Sequence, residues 1–202
     1  QVLPSPPGAV AAAKRQALDE AMRLRRQRLS ELGYRQQAAL RLGEVRQNAD
    51  PVPQYGTLEL SFEVSGTFDN PFDPDQIDVA AVFTGPLGRD AWVPAFLYQD
   101  FRRTEAGGIE RNGTPLWKVR FSPSQVGQYR YRIRVNNAGV RTESAPAELQ
   151  CTPGTGRGYI RVSAETPRYC TFDDGTPYIP SGINLFVSTR LGDPIPPNRL
   201  EL

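Results

Sequence analysis

The chain has no histidine, only two cysteines and one methionine in 202 residues, and no long apolar run. Without imidazole, these residues hold neither the usual histidine-based zinc site nor a Ser-His or Cys-His nucleophile pair, which argues against catalysis here. Cys151 and Cys170 flank a Gly-rich turn and one strand. They fit either a bridge across adjacent strands, worth roughly 3 kcal/mol in an oxidising compartment, or two free thiols buried as small hydrophobes. No stretch reaches the roughly 20 apolar residues that cross a bilayer, so no membrane span is expected. The opening QVLPSPPGAV lacks the basic start, apolar centre and cleavage site of a secretory signal. With no initiator methionine, the chain reads as a piece of a longer protein.

Charge of either sign is scarce as a net quantity, +2 overall, but it is unevenly placed. From Ala9 to Asp50 nine Lys/Arg face five Asp/Glu, whereas the remainder carries 15 against 17. This N-terminal stretch is rich in Ala, Leu, Arg, Gln and Glu and holds no proline to Gln47, so it predicts a long or broken amphipathic helix, interrupted near Gly33. Leu18, Met22, Leu29 and Leu32 fall at coiled-coil-like spacing, yet Arg25 and Gln36 occupy the positions that would continue the seam. The basic run from Arg23 to Arg28 has no accompanying aromatic or glycine pattern. It reads as a solvated helix face, and no nucleic-acid partner is expected. Asn48 to Gln54, with two prolines, reads as a linker.

Beyond it the hydrophobic period changes from 3.6 to 2. Leu58, Leu60, Phe62 and Val64 alternate with polar residues, Ile77 to Thr84 forms another run, and Ala91 to Gln99 a third. The richest stretch, WKVRFSPSQVGQYRY from Trp117 to Tyr131, writes a strand, a corner and the next strand in succession. Ser122-Pro123 ends the first of these, since proline has no N–H for a ladder. Gly127-Gln128-Tyr129 has the look of a corner where a tyrosine hydroxyl bonds back to the preceding turn. Ala147 to Cys151 adds a further short strand. About seven strands at this spacing predict a mainly β chain, an immunoglobulin-like antiparallel β-sandwich with an N-terminal α-helical arm; a meander or barrel is the alternative architecture.

The segments NPFDPDQIDVAAVFTGPLG, VPAFLYQDF, WKVRFSPSQVGQYRY, GRGYIRVS and CTFDDGTPYIPSGINLF, in that order, resemble a family of N-terminal immunoglobulin-like domains of unknown function. Those domains precede TIM-barrel glycoside hydrolases, apiosidase-like ones among them, in bacterial polysaccharide degraders. The resemblance covers about Val52 to Val162, with the barrel's opening from Arg168. With the helical arm and linker read above over 1–50, it implies a sandwich over 51–163 and, over 164–202, the opening hairpin and first strand of a truncated barrel. A complete barrel needs about 250 residues, so the resemblance places the catalytic carboxylates beyond this chain. It further implies that the chain is a non-catalytic accessory module whose partner is its own C-terminal TIM-barrel domain, in a secreted or periplasmic bacterial enzyme.

Several residues remain candidates for contact. Asn184 would end the first barrel strand at the active-site face, where it could line the sugar pocket or cap the strand. Aromatic rings stack on sugar faces, so Trp92, Tyr98, Phe101 and Trp117 could form a platform for a polysaccharide. Both tryptophans fall on core-phased positions, however, and are expected inside. Tyr98 and Phe101, beside Arg102-Arg103, are the better candidates for a glycan or a partner domain. Asp173 and Asp174 are adjacent on a turn and cannot flank a sugar from opposite sides. Asp69, Asn70, Asp73 and Asp75 could reach calcium through oxygen but lack the spacing of a regular calcium loop. No metal site and no cofactor is expected. The functional alternatives are a carbohydrate-binding module that tethers an enzyme to polysaccharide, and a structural or adhesion domain assembled through its helix.

Overall fold

The computed structural model describes residues 7–182. The chain divides into two compact units between Gly156 and Arg157. The first opens with helix α1 (Pro7–Glu31), followed by strands β1 (Gln36–Leu42), β2 (Arg46–Gln47), β3 (Val52–Pro53) and β4 (Leu58–Phe62). Next come β5 (Val64–Phe68), β6 (Ile77–Thr84), β7 (Asp90–Pro94) and β8 (Phe96–Arg103). The unit closes with β9 (Ile109–Phe121), β10 (Gly127–Asn137), β11 (Val140–Glu143) and β12 (Ala147–Thr152). The second unit holds a small antiparallel sheet of β13 (Ile160–Val162), β14 (Cys170–Phe172) and β15 (Pro177–Tyr178).

The fold is therefore mainly β with one N-terminal helix. Four strands pair in the order β2-β4-β9-β8, and six form a sheet in the order β3-β12-β10-β6-β7 with β11 also on β10. All these pairings are antiparallel except β12 with β3. The period-two pattern explains the burial: on β10, Tyr129, Tyr131, Ile133 and Val135 are buried while the intervening arginines are exposed. Leu58, Leu60 and Phe62 of β4 and Trp117 and Val119 of β9 join them in one core with Val79, Ala81 and Phe83 of β6. Phe83 stacks on Phe121 of β9 with ring centroids 4.0 Å apart, so side chains of the two sheets meet directly. Each such buried side chain stabilises the fold by about 1.5–3 kcal/mol.

The expected corner is present. The Tyr129 hydroxyl accepts a hydrogen bond from the Gln125 N–H at 3.0 Å, tying β10 to the turn before it. Gly127 sits at φ 136°, and a Cβ there would meet the Pro86 ring at 2.8 Å, so only glycine passes between strand and turn without strain.

Two expectations for the N-terminal part need correction. The helix stops at Glu31, and residues 36–42 form β1, which pairs antiparallel with β5. Nor is the 48–54 segment a free linker. Asn48 donates to Thr57 O and accepts from Glu59 N–H, and Val52-Pro53 pairs with β12. Backbone pairing across the sheet outweighs the helix propensity of Gln36-Gln37-Ala38-Ala39, a preference of only tenths of a kcal/mol per residue.

Asn137 at the end of β10 is the one buried polar side chain of the core among the described residues. Its amide accepts from Thr67 N–H and donates to Thr67 O and Gln76 O, each at 2.8 Å, which clamps β5 and the loop before β6 to the sheet. Gly66 makes room for it, since a Cβ there would lie 2.8 Å from Asn137 Oδ1.

Candidate binding faces

The first candidate face is the outside of the four-stranded sheet. Register places Phe96 opposite Lys118 and Tyr98 opposite Leu116, while Glu59 on β4 faces Arg120. Glu59 takes the Lys118 ammonium and, at 2.8 Å, the Arg120 guanidinium. Those two cations also cover aromatic rings: Lys118 Nζ lies 4.2 Å from the Tyr98 ring centroid and the Arg120 guanidinium 5.2 Å from that of Phe96. The hydrogen bond from Lys118, aided by that from Arg120, holds the Glu59 carboxyl below its ordinary value against the opposing effect of desolvation. Tyr98 is thus half-buried and capped by a cation, with its hydroxyl toward Asp100 at 3.4 Å.

Past an irregularity between Tyr98 and Asp100, the β8–β9 hairpin continues beyond the strands that pair with β4. Asn112 donates to Asp100 at 2.7 Å, and this bond holds the Asp100 carboxyl below its usual range. Phe101 stands in this extension at 54% exposure, paired with Arg111. Arg111 donates to Leu32 O and lies over the Tyr34 ring at 5.0 Å, so the end of the helix is fastened to the hairpin. Tyr98 and Phe101 accordingly differ: one is a capped ring within the sheet, the other an open ring on the hairpin.

The second face is the outside of the six-stranded sheet. Trp117 is buried as expected, but Trp92 is 53% exposed, which corrects its assignment to the core. Ala91 and Val93 take the inward positions of β7 and pack on the core, leaving Asp90, Trp92 and Pro94 outward. The run WVPAFLYQ does not alternate, so its phase could not be read from residue type. Trp92 is level with Val82, and Val82 with Arg132, across the sheet. The Arg134 guanidinium lies 5.3 Å from the Trp92 ring centroid. Arg134 and Arg132 both bond Glu143, at 2.6 and 3.3 Å, and this shared pairing keeps the Glu143 carboxyl below its ordinary value.

The acidic loop between β5 and β6 spends its oxygens on its own turns. Asn70 accepts from Phe72 N–H, Asp73 from Asp75 N–H and from the Gln76 amide, and Asp69 pairs with Arg35. Among the described residues no group of three or more His, Cys, Asp or Glu is placed to hold a metal.

In the second unit, Asp173-Asp174-Gly175-Thr176 forms the turn between β14 and β15, as the residue types predict. Asp174 accepts from the Thr176 hydroxyl at 2.6 Å and from its N–H at 2.9 Å, which lowers the Asp174 carboxyl's affinity for a proton. Asp173 reaches instead to β13 and its approach, bonding Tyr159 N–H and Arg161 at 2.8 Å each. Both cysteines are free: Cys151 is fully buried in the first unit's core, where desolvation pushes its thiol up, and Cys170 is half-buried on β14. Asn184 lies outside the described residues.

Residues 51–136 match the family model described as a domain of unknown function, DUF5060. No curated protein matches the sequence. A solved structure from Bacteroides vulgatus ATCC 8482, described as a "putative glycoside hydrolase", is similar at 24% identity and a TM-score of 0.46. The match covers 65% of this chain and 22% of that one, so this chain corresponds to a minor part of that protein's length.

Proposed function

We propose that this chain is the non-catalytic, immunoglobulin-like β-sandwich module of a secreted or periplasmic bacterial glycoside hydrolase that degrades polysaccharide, and that it packs against the enzyme's TIM-barrel domain. The shared core of the two sheets and the Tyr129 back-bond support the sandwich reading. The observation that carries the functional reading is the order of the segments along the chain. The DUF5060 match over 51–136 overlaps the stretch that resembles the pre-barrel domains, and beyond Gly156 the chain enters a separate unit with the β14–β15 hairpin, which supports reading that hairpin as the approach to a barrel.

The engagement of several described carboxylates supports a non-catalytic role. A glycosidase needs two carboxyl groups facing each other across a sugar, about 5–9.5 Å apart. Glu59, Asp100, Asp173 and Asp174 are each engaged with cations, amides or turns instead. Reducing-sugar release from plant and bacterial polysaccharides tests this role: the isolated chain is expected to release none. Its addition to the parent enzyme's barrel, expressed alone, is expected to raise the barrel's unfolding temperature. Hydrolysis by the isolated chain, or a barrel indifferent to its presence, would overturn the proposal.

A further inference from the structure

Trp92, at an outward position of β7, leaves about half of its surface in water. A depression of about 790 Å³ on the same sheet face is lined by Val82, Arg130, Arg132, Arg134, Glu143 and Glu148 among others. A smaller one, about 230 Å³, lies against Trp92 and shares Arg134 and Glu143 with it. Arg130, Arg132, Arg134 and Arg141 on these two depressions are matched in number by Asp78, Asp90, Glu143 and Glu148.

That balance selects the occupant. A polyanion gains no net attraction from a neutral surface, and the carboxylates of Asp78, Asp90, Glu143 and Glu148 on this face belong to the residue types depleted at a protein–protein interface. A sugar hydroxyl both donates and accepts, so neighbouring hydroxyls are satisfied where guanidinium donors stand beside carboxylate acceptors. The apolar C–H face of the ring then stacks on an exposed indole. We propose that the outer face of the six-stranded sheet binds a neutral polysaccharide chain, with Trp92 as the stacking platform and Arg132, Arg134 and Glu143 as partners for its hydroxyls. This goes beyond the packing role: absence of sugar binding would leave that role standing, and a barrel indifferent to the chain would leave this one standing.

Affinity electrophoresis and calorimetry of the whole chain with xylan, mixed-linkage β-glucan and galactomannan, and with polygalacturonate as the polyanion, test it. Saturable binding to at least one neutral polymer is expected, weakened about tenfold or more by Trp92→Ala and largely kept by Trp92→Phe. Glu143→Gln is expected to weaken it as well, with the unfolding midpoint of each variant measured alongside. Binding to polygalacturonate alone, binding to none of the polymers, or binding unchanged in folded Trp92→Ala would overturn it. Loss of barrel association in Trp92→Ala without any sugar binding would assign the face to a protein contact instead.

Discussion

Glu59 is read in the sequence as one polar residue in an alternating strand, and nothing local distinguishes it from Ser61 or Glu63. Only the pairing of β4 with β9 sets Lys118 and Arg120 on its two oxygens. Because its carboxyl is held below the ordinary value in the folded state, the stability it contributes is fully present above the unfolded carboxylate's pKa, about 4.3. That contribution is lost as the pH falls through the lowered folded value. Urea unfolding between pH 7 and pH 3 is therefore expected to show a decline in midpoint that Glu59→Gln flattens. At neutral pH the same substitution is expected to cost about 1 kcal/mol. An unchanged acid limb in Glu59→Gln would show that the pair contributes nothing. Tyr129 marks the opposite case. Its role was legible because glycine, tyrosine and the preceding proline lie within a few residues of one another, and the bond to Gln125 N–H spans only that local stretch.

At the scale of elements, strands with one buried face were readable and strands without one were not. β10 and β12 divide their side chains cleanly between core and water, and β6 lies where its apolar run predicts a strand. β1 opens with residues that favour helix, exposes Gln36 to Ala39 and packs only Leu40 and Leu42 on the core, so its strand state derives mainly from the backbone partner it finds in β5. The helix itself contributes little to the core: Leu18, Met22 and Leu24 are exposed, and Leu29 alone is buried among the side chains described on it. Deleting residues 1–31 is accordingly expected to cost about 2 kcal/mol, the burial of one leucine, and to leave the far-ultraviolet β spectrum intact. Collapse of the β signal on that deletion would mean that the helix organises the sheets. The phase of β7 escaped reading for a different reason. Its apolar run offers both faces equally, and the choice between Trp92 and Val93 as the inward residue was made by the register with β6.

For the molecule as a whole, the division between Gly156 and Arg157 makes a testable claim about cooperativity. A chain ending at Gly156 retains the β1–β5 pair, the four-stranded and the six-stranded sheet and every residue of the main core, because that core runs from Val52 to Cys151. It is expected to unfold in one cooperative transition within about 1 kcal/mol of the longer chain, a surface-scale effect. A broad or multiphasic transition in the truncated chain would show that the first unit needs residues 157–202 to fold. Residue type alone determined that the chain is mainly β, that its turns fall at the Gly, Pro, Asn and Asp clusters, and that imidazole chemistry is absent, because local sterics and composition dictate these. Tertiary structure decided which tryptophan faces water, which strands the N-terminal segment joins and which cations Glu59 and Glu143 hold. Each of these depends on register between strands distant in sequence, and a shift of one residue reverses every side chain of a strand.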